Sequence, residues 1–155
     1  MLIGLLSGCG LFSAKPKEFS ESGMTITLTD DFAASENVMA QMYVVSKDHI
    51  FMGNGESKST LSGYGYNNLS LNDYIGLVLS ASKKEAEVKS YSDDDTNFLY
   101  AYYQSTVEGK DYSYMLICMQ GKDKFYAMNL GCFTKNFNDK TKDTYMEWAK
   151  TIRVQ

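Results

Sequence analysis

Arginine is nearly absent from this chain: of fifteen basic side chains only Arg153 carries a guanidinium, leaving fourteen lysines. Bidentate recognition of phosphates and base edges depends on the planar fork of arginine. Nineteen acidic residues bring the formal charge to −4, so nucleic acid is excluded as an expected partner and other polyanions are not favoured. Histidine is reduced to His49. Structural zinc takes about four ligands and catalytic zinc three protein ligands, a set that one imidazole and three cysteines do not assemble. His49 follows Lys47-Asp48 and reads as a surface residue beside a turn. No apolar run approaches the roughly 20 residues of a spanning helix. No catalytic or cofactor motif stands out, so neither a cofactor nor a metal is expected.

The N-terminus is more informative. Leu6-Ser7-Gly8-Cys9 closes a short apolar stretch and precedes Gly10. This arrangement resembles the lipobox of bacterial lipoproteins, whose cysteine becomes the lipid-modified first residue of the mature protein. The resemblance implies that residues 1–8 are the remnant of a lipoprotein signal peptide and that Cys9 is the lipidation position. A signal peptide begins with basic residues and has a longer apolar core; Met1–Leu6 lacks both, which points to a start codon further upstream. The competing reading is an N-terminal strand. Residues 9–22, rich in Gly, Ser, Lys and Glu around Pro16, read as an extended tether. The domain proper is then 23–155, long enough to build a core without staples. The implied location is the outer face of the cytoplasmic membrane or cell envelope, with the membrane held through the lipid anchor.

Once Cys9 is set aside, Cys118 and Cys132 remain. Tyr112–Gln120 and Lys124–Thr134 read as a hairpin around Gly121-Lys122, with Cys118 opposite Phe125 and Cys132 opposite Asp111. That places the thiols about seven residue steps, roughly 23 Å, apart, beyond the reach of a disulfide. Both are expected as small buried hydrophobes.

Upstream, Met24–Leu28 alternates as a strand, Met39–Val45 and His49–Met52 follow as two more, and Gly53-Asn54-Gly55 ends the last or marks a bulge. Ser57–Asn68 reads as a polar, Gly-rich loop. Ser70 with Asp73 forms a capping box that starts a helix over about Leu71–Lys84. Ala86–Val88 is a possible short strand, and Ser90–Asn97 a loop holding Asp93-Asp94-Asp95. Phe98–Ser105 opens a three-stranded antiparallel meander. Tyr145, Trp148, Ala149 and Ile152 fall on one stripe of a closing helix after a polar Asn136–Lys142 segment. Helices segregated around one antiparallel sheet define the α+β class.

This order resembles the PsbP-like fold: the Met24–Leu28 strand before Phe32, a helix ahead of a long meander, the Tyr-rich strand crossing Gly109, and a final helix with Trp148 ending in Ile152-Arg153-Val154. The resemblance implies an αβα sandwich over residues 22–155. Its members include a photosystem II extrinsic subunit, a yeast Ran-binding nuclear-import factor and small bacterial lipoproteins. It therefore implies a non-catalytic binding or assembly role, and it transfers no site residue.

The residues themselves offer three candidate sites. Asp93-Asp94-Asp95 supplies hard oxygens, but without EF-hand spacing it reads as a solvated turn. Tyr64 and Tyr66, with Asn67 and Asn68, place amphipathic rings and amides on a glycine-flexible loop, the chemistry of binding surfaces; the plainer reading is rings folded back over a sheet edge. Tyr100, Tyr102, Tyr112, Tyr114 and Tyr126 could line a groove, yet cross-strand aromatic pairs are ordinary sheet stabilisers. Met42, Met52, Met115, Met119, Met128 and Met146 read as deformable core. The expected function is a lipid-anchored envelope protein that binds a protein, peptide or glycan. The alternatives are a structural surface lipoprotein without a specific ligand, and a hydrolase.

Overall fold

A period of two in burial, the mark of strands covered on one face, runs through Met24–Thr29, Met42–Val45 and Ile50–Ser57, whereas residues 113–119 are buried without a break. The computed structural model describes residues 14–155; Leu6–Cys9, and with it the lipidation position, lies outside them. The strands are β1 (Pro16–Glu21), β2 (Met24–Thr29), β3 (Ala33–Ala34), β4 (Met42–Val45), β5 (Ile50–Ser57), β6 (Lys89–Ser92), β7 (Asn97–Val107), β8 (Lys110–Gln120), β9 (Lys124–Phe133) and β10 (Arg153–Val154). The helices are α1 (Lys58–Gly63), α2 (Leu71–Ala81) and α3 (Asp139–Lys150). Seven strands form one sheet in the order β3-β4-β5-β9-β8-β7-β6, and a smaller sheet has the order β1-β2-β10. All pairings are antiparallel.

The large sheet has two buried faces. On one, Phe51, Phe98, Met115, Ile117, Met128, Leu130 and Cys132 meet the small sheet through Met24, Ile26 and Leu28, and α3 through Tyr145 and Ala149. On the other, Ala101, Leu116, Cys118 and Phe125 are covered by Leu61 of α1 and by Tyr74, Ile75 and Leu79 of α2. The result is a three-layer α+β sandwich, as expected.

The N-terminal boundary differs from the sequence reading. Pro16–Glu21, assigned above to the tether, is a full strand paired with β2 from Pro16↔Thr29 to Glu21↔Met24. One apolar residue, Phe19, anchors it in the core, and the surrounding polar residues face solvent, which is why composition alone suggested an extended linker. Gly53 and Gly55 do not end a strand either. They lie inside β5, where a Cβ would meet Met24 Sδ at 2.6 Å and the Tyr126 ring at 2.9 Å.

The β8–β9 hairpin is shifted by one residue in its turn. Gln120 pairs with Phe125, Cys118 with Ala127 and Cys132 with Ser113, so Lys122-Asp123 is the turn centre. Gly121 serves a different need: its missing Cβ leaves room for the backbone oxygen of Gln155. Both cysteines are buried and free, and they face opposite sides of the sheet.

Several element ends also move. Ala86–Val88 forms no strand, and β6 uses Lys89–Ser92 instead. The predicted Met39 start slips to Met42. α3 begins within the polar segment because Asn138 caps it through Thr141 N–H. α2 stops at Ala81, with Lys83 left-handed at φ 53°, while Lys84 N–H and Lys83 N–H donate to the carbonyls of Leu79 and Ser80. These are the two hydrogen bonds of a Schellman termination.

His49 is not a surface residue. It is half-buried, with Nδ1 2.9 Å from the Tyr145 hydroxyl and Trp148 edge-on at 5.5 Å. Burial lowers its pKa from the ordinary 6.5, opposed by the charges of Asp48 and Asp31. The folded state therefore binds fewer protons at this site than the unfolded chain. Stability is expected to be full above about pH 6.5, to fall as pH drops through that value, and to level off below the folded-state pKa. Urea unfolding at pH 7.5 and 5.5 checks this, and His49→Gln should flatten the difference.

Candidate functional site

The segment predicted as a Gly-rich loop is a built corner. Ser57 caps α1 by accepting from Thr60 N–H. Lys58 fastens this helix to the hairpin turn, its ammonium donating to the carbonyls of Gly121 and Lys122 at 2.9 Å each. Leu61 plugs into the core beneath. The helix stops at Gly65, whose φ of +90° is the left-handed conformation that glycine adopts without penalty. Gly65 N–H then donates to Ser62 and Tyr66 N–H to Leu61, a second Schellman stop. Gly65→Ala is expected to cost about 1–2 kcal/mol, readable as a fall in the urea midpoint.

The other end of the corner is equally fixed. Ser70 Oγ accepts from Asp73 N–H at 3.1 Å, and the Asp73 carboxylate accepts from Ser70 N–H at 2.9 Å. The Ser70 hydroxyl also donates to the Asp73 carboxylate at 2.6 Å, and this bond, followed by the one from Ser70 N–H, holds the Asp73 carboxyl below the usual carboxylate range. The capping box read from the sequence is therefore present.

Between these two caps stand the predicted site residues. Tyr64 is 77% exposed and Tyr66 45%, so neither ring is folded away over the sheet edge. Asn67 accepts a hydrogen bond from Ser62, and Asn68 supplies a left-handed backbone at φ 56°. These two amides shape the corner as much as they decorate it. Two recesses open beside Tyr66. One, of about 370 Å³, is lined by Lys58, Leu61, Tyr66, Asn67, Asn68 and Phe125. The other, of about 270 Å³, lies between α1 and α2 and includes Glu56, Tyr64, Tyr66, Tyr74, Leu77 and Val78.

Glu56 and Tyr74 were not singled out by the sequence reading. Tyr74 is 1% exposed, stacked on Phe125 at 4.8 Å, and its hydroxyl has no hydrogen-bond partner among the described residues. An unsatisfied buried hydroxyl costs about 1–3 kcal/mol. Burial, then the Glu56 charge, pushes the phenol pKa upward.

The other candidates are not brought into a site. Asp93 spends its carboxylate on its own turn, accepting from Asp95 N–H and Thr96 N–H at 2.8 Å and from the Tyr91 hydroxyl at 2.7 Å. No group of three His, Cys, Asp or Glu residues able to hold a metal occurs among the described residues. The tyrosine stripe is split: Tyr100, Tyr102 and Tyr126 face the α3 side, whereas Tyr112 and Tyr114 stack with Tyr103 and Phe133 on the other face. Met42, Met115, Met119 and Met128 are buried core, with Met146 packed against it and Met52 half-buried.

No family model matches the chain, and no curated protein sequence does. Solved structures do match it. Cyanobacterial PsbP (CyanoP) from Synechocystis is 14% identical, with a TM-score of 0.59 over 98% of this chain and 100% of that one. A structure from Bacteroides thetaiotaomicron is also 14% identical, with a TM-score of 0.60 over 90% of this chain, which spans 48% of the longer protein. LpqN of Mycobacterium tuberculosis, described as involved in cell envelope biogenesis, is 8% identical, with a TM-score of 0.54 over 92% of this chain and 91% of that one. The α+β sandwich built here has the PsbP-like fold.

Proposed function

We propose that this protein is a lipid-anchored component of the cell envelope whose domain binds a protein, peptide or glycan partner without catalysing a reaction. The observation that carries the reading is the corner between α1 and α2. It holds two exposed tyrosines, Tyr64 and Tyr66, between two capped helices beside two recesses. Rigid aromatic anchors lose little entropy on binding, so the arrangement suits recognition. The fold shared with LpqN, a protein of envelope biogenesis, is consistent with this role.

The anchor at Cys9 gives the surface a location. Because β1 already begins at Pro16, only residues 10–15 separate Cys9 from the folded body. Six residues span at most about 20 Å, so the domain would ride close to the membrane face. Two acyl chains supply stable attachment. Labelling cells with a lipid precursor should mark the wild type and not Cys9→Ala; label persisting in the variant would remove the anchor.

The binding role is tested by capture from detergent-solubilised envelope with the full chain. A saturable partner lost in the Tyr64→Ala/Tyr66→Ala double variant is the expected result. Capture unaffected by both replacements, or none at all, would favour a structural lipoprotein without a specific ligand.

A further inference from the structure

The recess between α1 and α2 differs chemically from its neighbour across Tyr66. The neighbouring recess includes Lys58. The inner one has no basic residue in its lining; it gathers the Glu56 carboxylate, three tyrosines and an apolar wall from Leu77 and Val78. Lys58, the closest basic residue in sequence, is directed elsewhere, with its ammonium on the Gly121 and Lys122 carbonyls. Glu56 takes part in none of the ion pairs formed among the described residues. Its negative charge is left uncompensated at the edge of an aromatic pocket.

Tyr74 supplies the second observation. Stacking on Phe125 needs only the ring, and a phenylalanine would pack as well. The hydroxyl is nevertheless present, buried, and without a hydrogen-bond partner among the described residues. The Tyr74 O–H can turn its proton toward the Glu56 carboxylate and still keep an oxygen lone pair for an N–H donor, and aromatic faces attract cations through their quadrupole. The carboxylate, the aromatic faces and the apolar wall thus favour one kind of guest, a positively charged N–H donor on an apolar stem.

We infer that this recess binds an alkylammonium group, specifically the end of a lysine side chain presented by a protein or peptide partner. The ammonium pairs with Glu56 and donates toward the Tyr74 oxygen, while its methylene stem lies along Leu77 and Val78 between the rings of Tyr64 and Tyr66. A volume of about 270 Å³ suits a four-carbon chain, because sites for drug-sized ligands begin near 300 Å³. The inference rests on the binding role of the Tyr64–Tyr66 corner and narrows its partner to a lysine-bearing polypeptide.

The experiment is an NMR titration of the full chain with Nα-acetyl-lysine amide. The neutral control is the same molecule acetylated on Nε, a change that removes the charge and keeps the stem. Saturable shifts at Tyr64, Tyr66 and Tyr74 are expected with the first, and binding weaker by about tenfold with the second. Glu56→Gln, a replacement at an exposed position, should weaken the lysine probe by a similar factor. Tyr74→Phe should weaken it by about threefold while leaving the domain at least as stable as before. Equal affinity for the two probes, or an unchanged affinity in Glu56→Gln, would overturn the inference. Phosphoethanolamine binding as tightly as the lysine probe would overturn it in favour of a lipid headgroup. Partner capture that depends on Tyr64 and Tyr66, with no shift from the lysine probe, would sink this inference and leave the binding surface standing. A lysine response without any captured partner would overturn both the binding role and the assignment of a polypeptide partner, leaving only an alkylammonium recess.

Discussion

Replacing Gly131 by alanine is expected to destabilise the domain by about 2–3 kcal/mol, although alanine is ordinarily the better strand residue. Gly131 lies in β9, at the middle of the large sheet, between Ile50 on one side and Tyr114 on the other. The Tyr114 ring lies flat over it, and an added Cβ would overlap Cδ1 and Cε1 of that ring. Tyr114 has little room to yield. Tyr103 stacks on it at 5.1 Å, Tyr112 at 6.1 Å, and Phe133 closes the row at 4.9 Å from Tyr112. The gain in backbone entropy from removing a strand glycine, about 0.5–1 kcal/mol, is smaller than the cost of displacing a packed aromatic row. Urea unfolding measures the loss. In a Tyr114→Ala background the same replacement should become nearly neutral, because neighbours in contact are not additive. A Gly131→Ala protein as stable as its parent would refute the packing account.

Tyr145→Ala is expected to cost more, about 3–5 kcal/mol. The residue is fully buried, stacked with Trp148 at 5.7 Å and edge-on to His49 at 5.5 Å, and it ties α3 to the large sheet. Tyr145→Phe keeps the ring and removes the hydroxyl, which bonds His49 Nδ1 at 2.9 Å and also meets the Cys132 thiol, so a loss of about 1 kcal/mol is expected. The two variants also separate the causes acting on the imidazole. Desolvation by burial dominates the lowered pKa of His49, so the fall in stability below about pH 6.5 should survive in Tyr145→Phe. It should weaken in Tyr145→Ala, where the cavity admits water. Thermal unfolding of both variants at pH 7.5 and 5.5 distinguishes these outcomes.

The long antiparallel meander, both longer helices and the capping box of α2 were legible because each carries a local cause: alternation, a 3.6-residue stripe, or a side chain that caps its own backbone. What escaped depended on distant contacts. Gly53 and Gly55 look like strand breakers, yet they make room for Met24 and Tyr126 from elsewhere in the chain. Reading β5 as ended there also hid Glu56, which the uninterrupted alternation carries to the α2 face. Gly121 likewise drew the turn toward itself, when its role is to admit the Gln155 backbone. The candidate site was half visible. Tyr64 and Tyr66 were identified from their exposed chemistry, but Tyr74 looked like any apolar helix residue, and its unpaired hydroxyl emerges only from packing. His49 passed for a turn residue because the partners that bury it, Phe32, Tyr145 and Trp148, are remote in sequence.

The two interior thiols make this sandwich self-reporting. Cys118 sits beneath α1 and α2, and Cys132 beneath α3 and the small sheet, so a thiol reagent reaches each only when that particular layer lifts. Burial raises the pKa of both, which suppresses reaction in the closed state. The rates at which the two positions are modified therefore time the detachment of one layer independently of the other. Equal rates would mean that the three layers open together; unequal rates would name the layer that leaves first.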